Sequence, residues 1–401
     1  MPAQKMHDVA VIGAGPAGLA TALGLLSRGI STALITGPER AADHRTTALL
    51  DGSVRILESF GIWNQLEKSA APLRDMRIAD ASRRLFRAPE VTFRSAEIGL
   101  DAFGYNLEND VLRKGLLEIA QDKPHLTLLR TSVTGLQTGD DAVTLSLAEG
   151  EPVHARLVAA ADGRASFVRQ AAGISLRSHA YPQVAFTTSV SHTRPHEDIS
   201  TEFHTPTGPF TLVPLPGGYR SSIVCVVDEK DARYLMSLDE EALAREMERR
   251  ASSILGQFKI IKGRGSFPLA AETAVSLVAP RIALLGEAAH IMPPIGAQGL
   301  NLGLRDAAAL VDLVARAVAN GQDVGAPELL ARYEKARRGD IDNLMRAIDL
   351  LNRSLLTGLV PVHGARGFGM YLLDRVGPLR RALMRAGVGG KAAAHTSHHA
   401  A

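Results

Sequence analysis

The chain has 401 residues, too many for one ordinary core, so two interleaved or consecutive domains are expected. Hydrophobic residues make up 46% and charged residues 22%, as in soluble globular proteins, and a formal net charge of +3 gives no ground for a nucleic-acid partner. One cysteine, Cys225, excludes an internal disulfide framework and suits a reducing compartment. It stands in SSIVCVVD and reads as a buried structural thiol. MPAQKMHD runs into a strand with no apolar signal region, and no stretch reaches the ~18–20 apolar residues of a membrane span. A cytoplasmic protein is expected, free or held peripherally at the inner membrane.

The first element is the strand His7 to Ile12, followed by Gly13-Ala14-Gly15-Pro16-Ala17-Gly18, a helix from Leu19 to Arg28, and a strand from Thr32 to Thr36. Strand, GxGxxG, helix and strand in this order form the dinucleotide-binding βαβ pattern. Gly13 permits the turn, Gly15 lets backbone approach a pyrophosphate, and Gly18 lets the helix lie close to the strand. The acidic residue expected after the second strand is replaced by Thr36-Gly37. Glu39 is either its substitute or an ordinary loop residue. Thr46 to Trp63 reads as an amphipathic helix ended by Gly61, with Arg45 just before it as a surface charge or a cofactor contact.

MRIAD and RRLFR carry short β-like patterns. Asn109 to Gln121 is a helix capped by Asn109 or Asp110, with Leu112, Leu116 and Ile119 on one face. Strands are expected at Thr127 to Leu129, Val133 to Leu136, Val143 to Leu147 and Val153 to Ala160. The last runs into Ala161-Asp162-Gly163-Arg164-Ala165-Ser166 and a short helix. From Gln183 to Leu277 the alternation predicts a mostly antiparallel sheet, interrupted by a helix from Glu240 to Ser252. A strand from Ile282 to Leu285 leads to GEAAHIMPPIGAQGLNLG and a helix near Gly299. From there the chain reads as helical to about Arg385, with a flexible tail from Lys391 to Ala401.

GAGPAG, ADGRAS and GEAAHIMPPIGAQGLNLG, in that order, resemble the class A FAD-dependent monooxygenases. YEKARRGDIDNLMRAIDLLNRSL and GPLRRALMRAG narrow the resemblance to the ubiquinone-biosynthesis aromatic hydroxylases. It spans Asp8 to about Gly387. It implies an α/β fold: a Rossmann-type FAD-binding domain (1–75, 105–178 and 280–355), an inserted mixed β-sheet substrate domain (76–104 and 179–279), and C-terminal helices (356–390). Gly13, Ala14, Gly15, Pro16, Ala17 and Gly18 would cradle the FAD pyrophosphate. Arg45 and Asn109 match cofactor-contacting positions, and Asp162-Gly163 matches the family's DG motif. Gly286-Glu287 matches a Gly-Asp pair whose carboxylate holds the ribityl chain; glutamate is one methylene longer. Ala297-Gln298-Gly299-Leu300-Asn301 matches the loop at the flavin pyrimidine edge, with Ala297 where glycine is usual.

The reaction so implied is hydroxylation of a polyprenylated phenol on the route to ubiquinone, through a flavin C4a-hydroperoxide. NAD(P)H or another donor supplies electrons, and O₂ supplies the oxygen. A helix N-terminus at Gln298 to Asn301 suits the negative charge of a reduced flavin. No side chain is required as a nucleophile. His290 reads as a packing or hydrogen-bonding residue. His192 and His196 are separated by Pro195 and lack a metal-site companion. Alternatives are a hydroxylase of a soluble aromatic and a flavin-free escort protein that binds a prenyl group. The basic C-terminal residues Arg366, Arg375, Arg380, Arg381, Arg385 and Lys391 form either the outer face of a packed helix or a surface for anionic lipid or a biosynthetic complex.

Overall fold

The computed structural model describes residues 5–38, 43–81, 89–294, 296–356, 371–373 and 375–388. RRLFR, Glu39, Arg366, Lys391 and the expected tail lie outside them. Short apolar runs (VAVI, LVAA, IAL) build a sheet buried on both faces, as parallel strands require. Its order is Val278–Ala279, Ile282–Leu284, Val153–Ala160, Met6–Ile12, Thr32–Ile35, Leu126–Leu129. Along that order every pair is parallel except the first, and two further strands, Val143–Leu147 and Val133–Thr138, bring the sheet to eight by antiparallel pairing beside Val153–Ala160. The chain leaves Met6–Ile12 toward one neighbour first and reaches the other later, so the order reverses there. In open α/β sheets that is where ligands bind.

A second sheet also has eight strands: His290–Ile291, Phe258–Ala274, Leu176–His192, Arg220–Asp228, Gly208–Leu215, Ile199–Thr205, Asp75–Asp80 and Val91–Arg94. It is antiparallel apart from one parallel pair, Ile199–Thr205 with Asp75–Asp80. Its two longest strands each run 17 residues and pair from Leu176 with Ala274 to His192 with Phe258, through three register shifts. The helices Glu229–Ser237 and Glu240–Arg250, capped by Asp228 and Asp239, cover one face. They bury Leu235, Leu243 and Met247 against Phe186, Phe210 and Ile223. The first of these helices has no counterpart in the sequence reading.

A small sheet of Thr46–Leu50, Gly104–Glu108 and Ala71–Pro72 lies between the two large ones. The helix expected from Thr46 to Trp63 is therefore corrected. Thr46 to Leu50 is a strand in register with Glu108 to Gly104, and the helix covers Asp51–Ser59. Two β-branched threonines and a partner strand outweigh the helical spacing of the leucines. Gly61, at φ +72°, does follow the helix end. Asn109–Gln121 is helical, but Glu108 is its N-cap and no side chain caps it.

The late helix runs Gln298–Ala319 and a long one Pro327–Leu356. The last described helix, Gly377–Gly387, buries Met384 with Val388, Val91, Phe93 and Phe103. Among the described residues, no helix is long and apolar enough to cross a membrane.

Candidate active site

Three adjacent parallel strands end side by side, and each is followed by one of the three motifs. Gly13 N–H donates to the Ile35 carbonyl, Ala161 N–H to Ile12, and Leu285 N–H to Ala160, each at 2.8 Å. The ladder thus continues into the motifs, and motifs distant in sequence share one sheet edge. Gly13 has φ +107°, and a Cβ there would overlap the Ala161 carbonyl. A Cβ on Gly18 would overlap the Gly13 carbonyl oxygen. Ala17 lies between the first and third motifs: Cβ atoms on Gly286 and Gly303 would stand 3.2 and 3.3 Å from its own. Ala14 packs against the core, and Pro16 opens the helix Pro16–Leu26, where a missing N–H costs nothing.

Gly15 differs from its neighbours. Its φ is −73° and nothing lies within 4 Å of a Cβ built on it. The protein has no steric use for a glycine there, so the space is kept for something else. The helix that starts at Pro16 has no side-chain cap, which leaves its first N–H groups free to face an anion.

Arg45 and Asn109 share one partner that sequence reasoning missed, Asp43. Arg45 grips it bidentately, with Nε and Nη2 each 2.8 Å from a carboxylate oxygen. Asn109 Nδ2 donates to the same carboxylate at 2.9 Å, and Thr47 donates to Asn109 Oδ1 at 2.5 Å. Burial opposes the Asp43 charge, but the Arg45 and Asn109 hydrogen bonds overcome it and lower the pKa to about 2. Asp43 in turn raises the Arg45 pKa, with Glu287 a weaker contributor through space. The guanidinium also lies 5.1 Å from the Phe267 ring centroid. Glu287 is exposed between buried Gly286 and Ala288.

In the second motif, Asp162 Oδ2 accepts from Val168 N–H at 3.1 Å. Its Oδ1 is buried with no hydrogen-bond partner, and Gly163 follows at φ +87°. Arg169, also absent from the sequence reading, ties this motif to the third. It is buried, caps the Ala288 carbonyl at 3.0 Å through Nη1 and the Arg164 carbonyl at 2.9 Å through Nη2.

Asp306 anchors the third motif from about two turns inside the helix Gln298–Ala319. Its Oδ2 accepts from Gly286 N–H at 3.0 Å and from His290 Nε2 at 2.6 Å; its Oδ1 accepts from Arg337 Nε at 2.7 Å. Burial disfavours the carboxylate, and His290 and Arg337 reverse the balance, so the pKa is lowered to about 2. His290 is thus a hydrogen-bonding histidine in the core.

The late helix opens on Ala297 at φ +54°, left-handed, with no side-chain cap. This is the position where the sequence resemblance leads one to expect glycine. Gly299 faces open space and Leu300 packs against the core. Gln298 lines a cavity of about 250 Å³ shared with Arg305, Asp340 and Ala386 to Val388. The Asn301 amide is fully occupied by backbone: Nδ2 donates to Ala48 at 2.8 Å and Ala297 at 2.5 Å, and Oδ1 accepts from Leu50 at 2.8 Å. Its side chain braces the wall, so any ligand contact here falls to neighbouring backbone N–H groups.

Open space above Gly15, two uncapped helix N-termini and the partnerless Asp162 oxygen suit a large, anionic, hydrogen-bonding cofactor. The FAD binding domain model matches residues 6–347. The chain is a member of the FAD-dependent monooxygenases, in the ubiquinone-biosynthesis hydroxylase family. It is 36% identical over 394 residues to ubiquinone hydroxylase UbiL of Rhodospirillum rubrum, covering 96% of this chain and 90% of that one. It is 31% identical to the 3-demethoxyubiquinol 3-hydroxylase of Escherichia coli, covering 95% and 98%. The crystal structure of p-nitrophenol 4-monooxygenase PnpA from Pseudomonas putida superposes with a TM-score of 0.79 at 19% identity, covering 97% and 99%. That likeness concerns the fold alone.

Proposed function

We propose that this family member hydroxylates the ring of a polyprenylated phenol in ubiquinone biosynthesis, with NAD(P)H as electron donor and O₂ as co-substrate. The observation that carries the proposal is the meeting of three motifs at the ends of three neighbouring parallel strands. Bound FAD supplies the redox and oxygen chemistry. The chain's own residues bind, orient and shield it. Gly13 to Gly18 would hold the pyrophosphate, Glu287 and Arg45 the ribityl region, and backbone from Ala297 to Asn301 the pyrimidine edge. Asp43, Asn109, Arg169 and Asp306 would hold those residues in place. The cofactor unit would take residues 1–75, 105–178 and 280–355, and the antiparallel sheet would cover the ring and exclude water.

The deciding experiment is turnover with NADPH, O₂ and a phenol bearing a prenyl tail, beside the same phenol without it. Hydroxylation of the tailed compound at the higher kcat/KM is expected. Preference for the tail-less phenol would favour a hydroxylase of soluble aromatics, and a colourless protein would favour the escort reading. Quinone profiling after gene deletion would then name the missing hydroxyl.

We also propose that the C-terminal helix rests on an anionic lipid surface from which a polyprenyl substrate is drawn. Leu379 is 47% and Leu383 50% exposed, four residues apart on one face, with Val376 and Tyr371 exposed nearby. The outer face is more apolar than the sequence suggests, because Arg380 turns to Glu97 at 2.9 Å. Exposed Arg385 borders the leucines, the pairing of apolar ridge and basic flank that interfacial helices use.

A further inference from the structure

Asn106 lies in the middle of Gly104–Glu108, paired with Ala48 on one side and Ala71 on the other. It is 1% exposed. Its Nδ2 donates to the Pro214 carbonyl of the large antiparallel sheet at 2.8 Å. A carbonyl only accepts, so this contact fixes which end of the amide is nitrogen. The other end, Oδ1, is buried and has no hydrogen-bond partner. An acceptor left in that state is costly, and a water or a ligand group is what donates to such an atom.

The position says what kind of donor. Ala48, directly across the strand pair, has its carbonyl held by Asn301 of the late helix at 2.8 Å. Asn106 therefore bridges the wall assigned to the flavin ring and the sheet assigned to the substrate. Its neighbour Thr46 already spends its hydroxyl on Ser222, at 2.8 Å.

We propose that Asn106 Oδ1 accepts the ring hydroxyl of the aromatic substrate, which makes Asn106 a specificity-determining residue. It recognises a neutral phenol or hydroquinol and disfavours a phenolate or quinone, whose oxygens can only accept. The inference rests on the phenolic reading above and deepens it, since a fixed hydroxyl fixes which ring carbon faces the cofactor.

The test uses the FAD-loaded enzyme, titrated with a phenol carrying a short prenyl chain and with the same prenylbenzene lacking the hydroxyl. Binding is followed through flavin absorbance. Wild type is expected to favour the phenol by about tenfold or more. Asn106→Leu, close in size, should keep its FAD and lose that preference; if it fails to load FAD, Asn106→Ala is read the same way. A wild type that binds both compounds equally, or a variant that still discriminates as wild type does, overturns the proposal. Failure of either compound to perturb the flavin, with NADPH still oxidised, would instead overturn the phenolic reading itself.

Discussion

The Asp306 carboxylate receives the Gly286 N–H at 3.0 Å while it is also bonded to His290 and Arg337. One buried charge thus sets the backbone at the start of the third motif. Asp306→Asn would remove one of the two carboxylates paired with buried Arg337, leaving Asp340 at 2.8 Å, so a cost of up to about 3 kcal/mol is expected. We expect a lower denaturation midpoint together with weaker FAD retention. The folded pKa lies below the ordinary aspartate value of 3.8, at about 2, so the unfolded chain takes its proton first. The Asp306 contribution is present above about pH 4 and is lost as pH falls toward 2. Acid titration should show a shallower loss across that window in the variant than in wild type.

Gly15 and Gly18 should respond differently to alanine. At Gly15 a methyl group meets no protein atom and φ is ordinary, so Gly15→Ala should fold normally and purify without yellow colour. At Gly18 the methyl overlaps the Gly13 carbonyl, so Gly18→Ala should unfold earlier even without cofactor. Melting of the two FAD-free proteins separates the cases. An apo Gly15→Ala destabilised as much as Gly18→Ala would refute the distinction.

Ala297 occupies the left-handed region at φ +54°, which costs an L-residue roughly 1–2 kcal/mol. Glycine removes that strain but adds freedom to the unfolded chain, by up to about 1 kcal/mol. Ala297→Gly should therefore be neutral to more stable, by up to about 1 kcal/mol. Urea unfolding of the FAD-loaded pair measures it; a clear loss of stability would mean that the Ala297 methyl packs usefully.

Leu379→Ser with Leu383→Ser should lower co-sedimentation with vesicles rich in anionic lipid severalfold and leave turnover of a short-tailed phenol unchanged. Charge reversal of Arg380 is a poorer probe, because it also breaks the pair with Glu97. Equal vesicle binding by the serine variant and wild type would remove the lipid surface from the proposal.

Much of the site was legible because its signals are local. Apolar runs ending in glycines mark strand ends, and those strands turned out to be neighbours. What stayed hidden depends on contacts across the chain. Nothing near Asp43 shows that Asn109 will reach it, and nothing near Arg169 points to the Ala288 carbonyl. Leu50, Val54 and Leu57 have the apolar spacing of a helix that would take in Thr46 to Leu50, and only the strand at Gly104–Glu108 decides otherwise. The Asn301 amide, matched to a cofactor loop by resemblance, is taken up by Ala48, Ala297 and Leu50.

The paired 17-residue strands Leu176–His192 and Phe258–Ala274 carry a mechanical consequence. At one end, Ala274 N–H bonds the Ala289 carbonyl at 2.8 Å, beside the third motif; at the other, His192 pairs with Phe258, far out in the antiparallel sheet. Roughly 55 Å of ladder joins the two ends through three register shifts, the widest of which passes over Tyr181 to Gln183, so any bending of one sheet against the other concentrates at those shifts.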